Sequence, residues 1–125
     1  MAAHTPEECD HLFGELMNAG DVDGVAALYE PQAVLVLEGG QSATGQGAIR
    51  EALSMFAAMK PKLAMNVVKV VRVGRDLAVL YNDWTLTAVQ PDGSPMNDAG
   101  GAIEVVRLQP DGTWRFVLDD PRARR

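Results

Sequence analysis

The chain has 125 residues, enough for one domain spanning positions 1–125 with a single core and no help from disulfides or metals. A hydrophobic fraction of 47% argues for a globular fold, and a net charge of −6 leaves no basic stripe with which to displace counterions from a nucleic acid. The apolar stretch around Leu63 to Leu80 is interrupted by Asn66, Lys69, Arg72, Arg75 and Asp76, which excludes a bilayer span.

The N-terminus lacks a basic segment followed by an apolar run, so it does not read as a signal peptide. A cytoplasmic location is expected by default, and the lone Cys9 fits a reducing compartment. In chain order, Thr5-Pro6-Glu7-Glu8 supplies an N-cap, a proline at the first helical position and a capping-box glutamate. Cys9, Leu12, Phe13, Leu16 and Met17 follow at helical spacing, so the first helix covers roughly residues 6–19. Asp21 caps a short second helix carrying Val25, Leu28 and Tyr29, which Pro31 ends. Ala33 to Leu37 reads as a strand. A third helix then carries Ile49, Ala52, Leu53 and Phe56 and stops before Pro61.

From there the pattern is β. Leu63 to Val73, Leu77 to Val89, Ala102 to Gln109 and Trp114 to Asp119 are strands, separated by Gly74-Arg75-Asp76, Pro91-Asp92-Gly93-Ser94-Pro95 and Pro110-Asp111-Gly112-Thr113. Successive hairpins predict an α+β fold with a curled antiparallel sheet packed against three N-terminal helices. The basic tail Pro121 to Arg125 reads as a solvated end. Met55, Met59 and Met65 read as core fillers, with softening of a pocket wall as the alternative. His4 and His11 have no partners at ligand spacing, and no glycine-rich phosphate loop is present, so neither a metal nor a nucleotide or other cofactor is expected.

The segment Asn18-Ala19-Gly20-Asp21-Val22-Asp23-Gly24-Val25, with Ala33-Val34-Leu35-Val36-Leu37 and Gly45-Gln46-Gly47-Ala48-Ile49-Arg50-Glu51, resembles the opening half of ketosteroid isomerases and SnoaL-like polyketide cyclases. These belong to the nuclear-transport-factor-two-like superfamily. The resemblance implies a cone with one pocket, whose inward polar side chains set the function. It also implies that Glu104 occupies the place of the protonated oxyanion-hole aspartic acid of the isomerases. The isomerase base falls at Leu37 and the tyrosine at Phe13. Neither leucine nor phenylalanine transfers a proton or donates a hydrogen bond, so steroid isomerisation is not expected.

Alternation from Glu104, read through the resemblance, turns Val106, Val117 and Asp119 into the cavity, together with Tyr81 and Asp83. The cavity is then lined by Phe13, Met17, Tyr29, Leu37, Phe56, Tyr81, Val106 and Val117, with Asp119, Glu104 and Asp83 as the candidate catalytic groups. Composition alone would bury the Trp84 and Trp114 faces; on the resemblance, Trp84, Ile103, Val105, Trp114 and Phe116 instead fall on the outer face, where an apolar surface of that size predicts a homodimer. Plainer roles exist for the same residues: Asp119-Asp120-Pro121 as a strand-ending turn, and Glu104 as the partner of Arg115 or Arg72 in an ion pair.

Crowded carboxylates in an apolar cavity hold protons near neutral pH and can divide acid and base roles. The sequence therefore suggests a cofactor-free enzyme of the isomerase, cyclase or hydratase kind, acting on a small apolar carbonyl compound through Asp119 and Glu104. A non-catalytic small-molecule binding module is the alternative. A limonene-type epoxide hydrolase, with Arg115 or Arg72 between the carboxylates, is the third reading.

Overall fold

The computed structural model describes residues 2–124. Three helices come first, α1 (Pro6–Asn18), α2 (Val22–Ala26) and α3 (Gln46–Ala57), interleaved with strands β1 (Tyr29–Val36) and β2 (Ser42–Thr44). Four long strands follow: β3 (Lys62–Val73), β4 (Leu77–Val89), β5 (Pro95–Leu108) and β6 (Trp114–Asp120). They form one curled, unclosed sheet in the order β2-β1-β6-β5-β4-β3, with the helices packed on its inner side.

The helix signals act as the sequence predicts. Thr5 Oγ1 accepts from the Glu8 N–H at 3.3 Å, while the Glu8 carboxylate accepts from the His4 N–H at 2.6 Å. At the other end of α1, the Asn18 side chain donates to the Leu63 carbonyl at 3.0 Å and accepts its N–H at 2.7 Å, tying the helix to the start of β3. The second helix is shorter than expected. Asp21 caps it through the Gly24 N–H at 2.9 Å, but it ends at Ala26, and Leu28 and Tyr29 lead into β1. Pro31 is accommodated because the β1 ladder is irregular between Tyr29 and Val34, where no bond from its nitrogen is needed.

Two features of the sheet depart from the hairpin reading. The β3 to β6 meander is antiparallel, yet β1 pairs with β6 in parallel, a contact between distant parts of the chain that no local turn announces. The second departure fixes the site. Val106 pairs with Phe116 but Val105 pairs with Leu118, so Val117 is an extra residue, a β-bulge in β6.

That bulge lets Trp114 and Phe116 on one side of it, and Asp119 on the other, all face inward. The β4–β5 hairpin pairs Leu80 with Glu104, Asn82 with Ala102 and Trp84 with Gly100, so the even-numbered side chains of β4 share the inner face with Glu104. Trp84, Trp114 and Phe116 are therefore buried beneath the protein's own helices, contrary to the outward placement expected for them. Ile103 and Val105 do lie on the outer face, half-buried. Gly100 is bare because the Trp84 ring lies over it: a Cβ there would come within 2.4 Å of the ring.

The C-terminal tail is not a free solvated end. Trp84 Nε1 donates to the Pro121 carbonyl at 2.8 Å, Arg122 pairs with Asp98, and Arg124 pairs with Asp83 at 2.8 Å. Residues 121–124 thus fold back across the middle of β4 and β5. Arg125, the last residue of that tail, lies outside the described residues, as does Met1.

Candidate active site

Between the helices and the inner face lies a cavity of about 250 Å³. Helix α1 contributes Phe13, the end of β1 contributes Leu35 and Leu37, and α3 contributes Ala52, Leu53 and Phe56. Leu63, Met65, Asn82, Trp84, Leu86 and Ala102 complete an apolar wall with a single buried amide in it. Glu104 and Asp119 are set into this wall, and Pro121, Arg122 and Glu38 stand at its edge. The volume lies just below the ~300–1,000 Å³ range of ligand pockets, and an apolar enclosure with a few convergent polar groups is their usual form.

Glu104 and Asp119 are directly opposite each other across the β5–β6 ladder, and they are 3% and 5% exposed. The Tyr29 hydroxyl donates to Asp119 Oδ2 at 2.6 Å, and Gln46 at the start of α3 fixes the Tyr29 backbone by donating to its carbonyl at 2.7 Å. A third carboxyl, Asp10, reaches Glu104 from α1 and is wholly buried. No hydrogen-bond donor among the described residues reaches either Asp10 oxygen or Glu104 Oε1. Two carboxyl groups in that position satisfy each other only by a proton between them.

Burial dominates the electrostatics. It pushes Asp119 up to about 7, against the opposing effect of the Tyr29 hydrogen bond and with further elevation from Asp10. Burial likewise raises Asp10 to about 6, partly offset by Glu104 and by His11. Glu104 is held well above the usual carboxylate range, first by burial, then by the charges of Asp10 and Asp119, with the Asn82 amide pulling weakly the other way. The three carboxyls are a coupled set, and their protons belong to the set.

The structure brings Phe13, Leu37, Phe56, Glu104 and Asp119 together around the cavity, as the sequence suggests. Met17, Tyr29 and Val106 are buried in the core behind that wall, and only Tyr29 touches the site, through Asp119. Tyr81, Asp83 and Val117 do not belong to it. Tyr81 and Asp83 share the outer face of β4, where Arg124 lies over the Tyr81 ring and pairs with Asp83. Val117 is the bulge residue. Among the described residues no arginine bridges the carboxyls: Arg72 lies over the Trp114 ring at 5.6 Å, and Arg115 borders a separate depression with Asp23, Gln46 and Arg50. Both the ion-pair role for Glu104 and the Asp-Arg-Asp arrangement of an epoxide hydrolase are thereby removed.

Of the methionines, Met65 lines the cavity, whereas Met55 is 72% exposed and fills nothing. Cys9 is buried, and burial pushes its thiol far above its ordinary value, so it serves as packing. Sequence reasoning misses Asp10, Asn82 and Trp84 as parts of the site. For Asp10 a signal exists: it stands three residues before Phe13 and seven before Met17, inside the apolar arc of α1.

Residues 10–124 match the model of the SnoaL-like domain. None of the curated proteins compared matches the chain. Among solved structures, a ketosteroid isomerase-like protein from Erwinia carotovora atroseptica is 20% identical with a TM-score of 0.82, covering 91% of this chain and 89% of its own. An NTF2-like protein with a cystatin-like fold from Novosphingobium aromaticivorans is 18% identical with a TM-score of 0.76, over 92% of this chain and 77% of its own. The protein Aln2 from a Streptomyces species is 18% identical with a TM-score of 0.79, over 94% of this chain and 91% of its own. At these identities the likeness establishes the fold, and the site must be argued from its own residues.

The raised carboxyls make stability depend on pH in a definite direction. Between about 4 and 7 the native state holds protons on Asp10 and Asp119 that the unfolded chain has released. Their favourable contribution is complete below the unfolded value and is lost as pH rises through the native values. Asp92 and Asp111, lowered by Ser94 and Thr113, act in the opposite sense but only below that window. Denaturant unfolding should therefore show stability falling from about pH 4.5 to about pH 8, and Asp119→Asn should flatten the fall. A stability that rises over this interval would contradict the burial of uncompensated carboxyls.

Proposed function

The chain belongs to the SnoaL-like family, and from that premise we propose that it is a small cofactor-free acid–base enzyme of the isomerase, cyclase or hydratase kind. Its substrate would be a compact apolar molecule bearing a carbonyl group. The observation that carries this reading is the Glu104–Asp119 pair, set side by side in an apolar cavity with no cation among the described residues between them.

A proton next to a carbonyl becomes removable when a base stands beside it and a donor meets the oxygen on which charge develops. Asp119 suits the first task. With its pKa raised to about 7 it is partly ionised at neutral pH, and the Tyr29 hydrogen bond orients the carboxylate while leaving its other oxygen for the cavity. Glu104 suits the second, because a neutral carboxylic acid donates a hydrogen bond that a carboxylate cannot. Phe13 and Leu37, apolar where the isomerases place a tyrosine and a base, keep the rest of the wall dry and lend weight to a second reading, a binding module in which the acids only orient a ligand. A cytoplasmic setting, with no metal or cofactor, is part of the proposal.

Isotope exchange separates the two readings even while the substrate is unidentified. Small cyclic ketones and enones incubated with the protein in deuterated water should lose protons next to the carbonyl, followed by proton NMR. Asp119→Asn should reduce the rate by roughly 10²–10⁴. The rate should rise with pH through the region of about 7 as Asp119 ionises, then fall once Glu104 loses its proton. Saturable binding of such compounds with no exchange in the wild-type protein would leave the binding module as the function.

The proposal extends to assembly. With both tryptophans and Phe116 buried within the chain, the outer face still carries Val71, Val79, Ile103, Val105 and Leu118 on four adjacent strands, partly or fully exposed. We place the homodimer contact there, with a second copy as the occupant. Sedimentation should give a dimer at micromolar concentration that Val105→Lys weakens; a monomer throughout would sink this placement.

A further inference from the structure

The geometry points to Asp10 as a positioning residue that holds the proton on Glu104. This rests on the reading of Glu104 as the neutral acid of the proposed site. Asp10 itself does not line the cavity; it acts from behind the wall.

Helix α1 packs against the sheet through the side that carries Cys9, Asp10, Leu16 and Met17. Asp10 is wholly buried, whereas Glu7 and Glu8 of the same helix are only half-buried. A buried carboxylate normally receives two or more hydrogen bonds or faces a cation. Among the described residues Asp10 receives neither, since no donor reaches its two oxygens. What it meets is the carboxyl group of Glu104, whose Oε1 is equally without a donor.

The elements around the pair supply nothing else that could take over. On α1, His11 is exposed and only tempers Asp10, and Cys9 stays a neutral thiol. Across the sheet the groups are the Asn82 amide on β4, Asp119 on β6 and Tyr29 on β1, whose hydroxyl is committed to Asp119. Arg72 of β3 is stacked on Trp114.

Two carboxylates in contact cannot both ionise readily in a low-dielectric interior, so a proton stays between them above the ordinary carboxylate range. Glu104 is the member that also feels the charge of Asp119, and it is the member that holds the proton. Asp10 therefore separates the proton affinities of two otherwise similar acids on the cavity wall. It keeps Glu104 neutral across the pH range in which Asp119 becomes a base. An asparagine in its place would present an N–H donor where an acceptor stands, and would stabilise the Glu104 carboxylate instead.

The test reads Glu104 directly and needs no substrate. In protein labelled with ¹³C at the glutamate side-chain carboxyl, the Glu104 resonance is assigned by its loss in Glu104→Gln and titrated in the wild type, Asp10→Asn and Asp10→Leu, with near-UV circular dichroism confirming the fold. The wild type should keep Glu104 protonated beyond the ionisation of Asp119. Both variants should lower the Glu104 midpoint by about one unit or more, the range a neighbouring like charge produces. A midpoint that stays put in whichever variant folds would overturn the role of Asp10. Because the titration is independent of turnover, an inactive protein with a shifted midpoint would count against the proposed enzyme while leaving this role intact.

Discussion

Removing three carboxyl groups from water, with no cation among the described residues to meet them, is the constraint on which this structure turns. An isolated buried carboxylate is so costly that the group retains its proton instead, and the fold uses that tendency rather than opposing it. Asp119 receives one strong hydrogen bond from Tyr29 and remains able to ionise near neutrality. Glu104 receives no comparable donor and faces two like charges, so it remains an acid. One apolar wall thus carries two chemically distinct carboxyls, and the distinction comes wholly from their surroundings.

The sheet makes that arrangement possible through one irregularity. Without the extra residue at Val117, strict alternation would put Phe116 and Asp119 on opposite faces of β6. With it, the first half of β6 delivers Trp114 and Phe116 to the core, and its far end delivers Asp119 to the cavity beside Glu104. The parallel pairing of β1 with β6 then brings Leu35 next to Asp119 and places Tyr29 so that its hydroxyl reaches the carboxylate. Core packing and site chemistry depend on the same bulge, which is why bulges so often sit beside functional groups.

The helix caps, the three hairpin turns and the inward face of β5 are legible in the sequence because each rests on local chemistry or simple alternation. Glu104 and Asp119 are legible as neighbours through the family resemblance. What does not carry over is parity between strands. The resemblance puts Tyr81 and Asp83 in the cavity, yet the hairpin after β4 joins Val89 to Pro95, and a turn of that length pairs residues of like parity, which places Leu80 and Asn82 beside Glu104 instead. The turn residues Pro91 to Ser94 contain that register. The Val117 bulge has no such marker in its own residue type, and Asp10 escapes notice because an acid within an apolar helical arc reads as an interruption rather than as a buried group. The parallel β1–β6 contact is non-local, so no pattern within either strand foretells it.

The acid–base reading of the cavity turns on the ionisation of Asp119 in the folded protein. A pH titration of its side-chain carboxyl carbon by ¹³C NMR, assigned through Asp119→Asn, measures it directly. The midpoint should be about 7, moving upward in Tyr29→Phe because the hydroxyl that favours the carboxylate is gone. A midpoint of about 4, the ordinary value for an aspartate in water, would contradict both the dry cavity and the acid–base chemistry assigned to it.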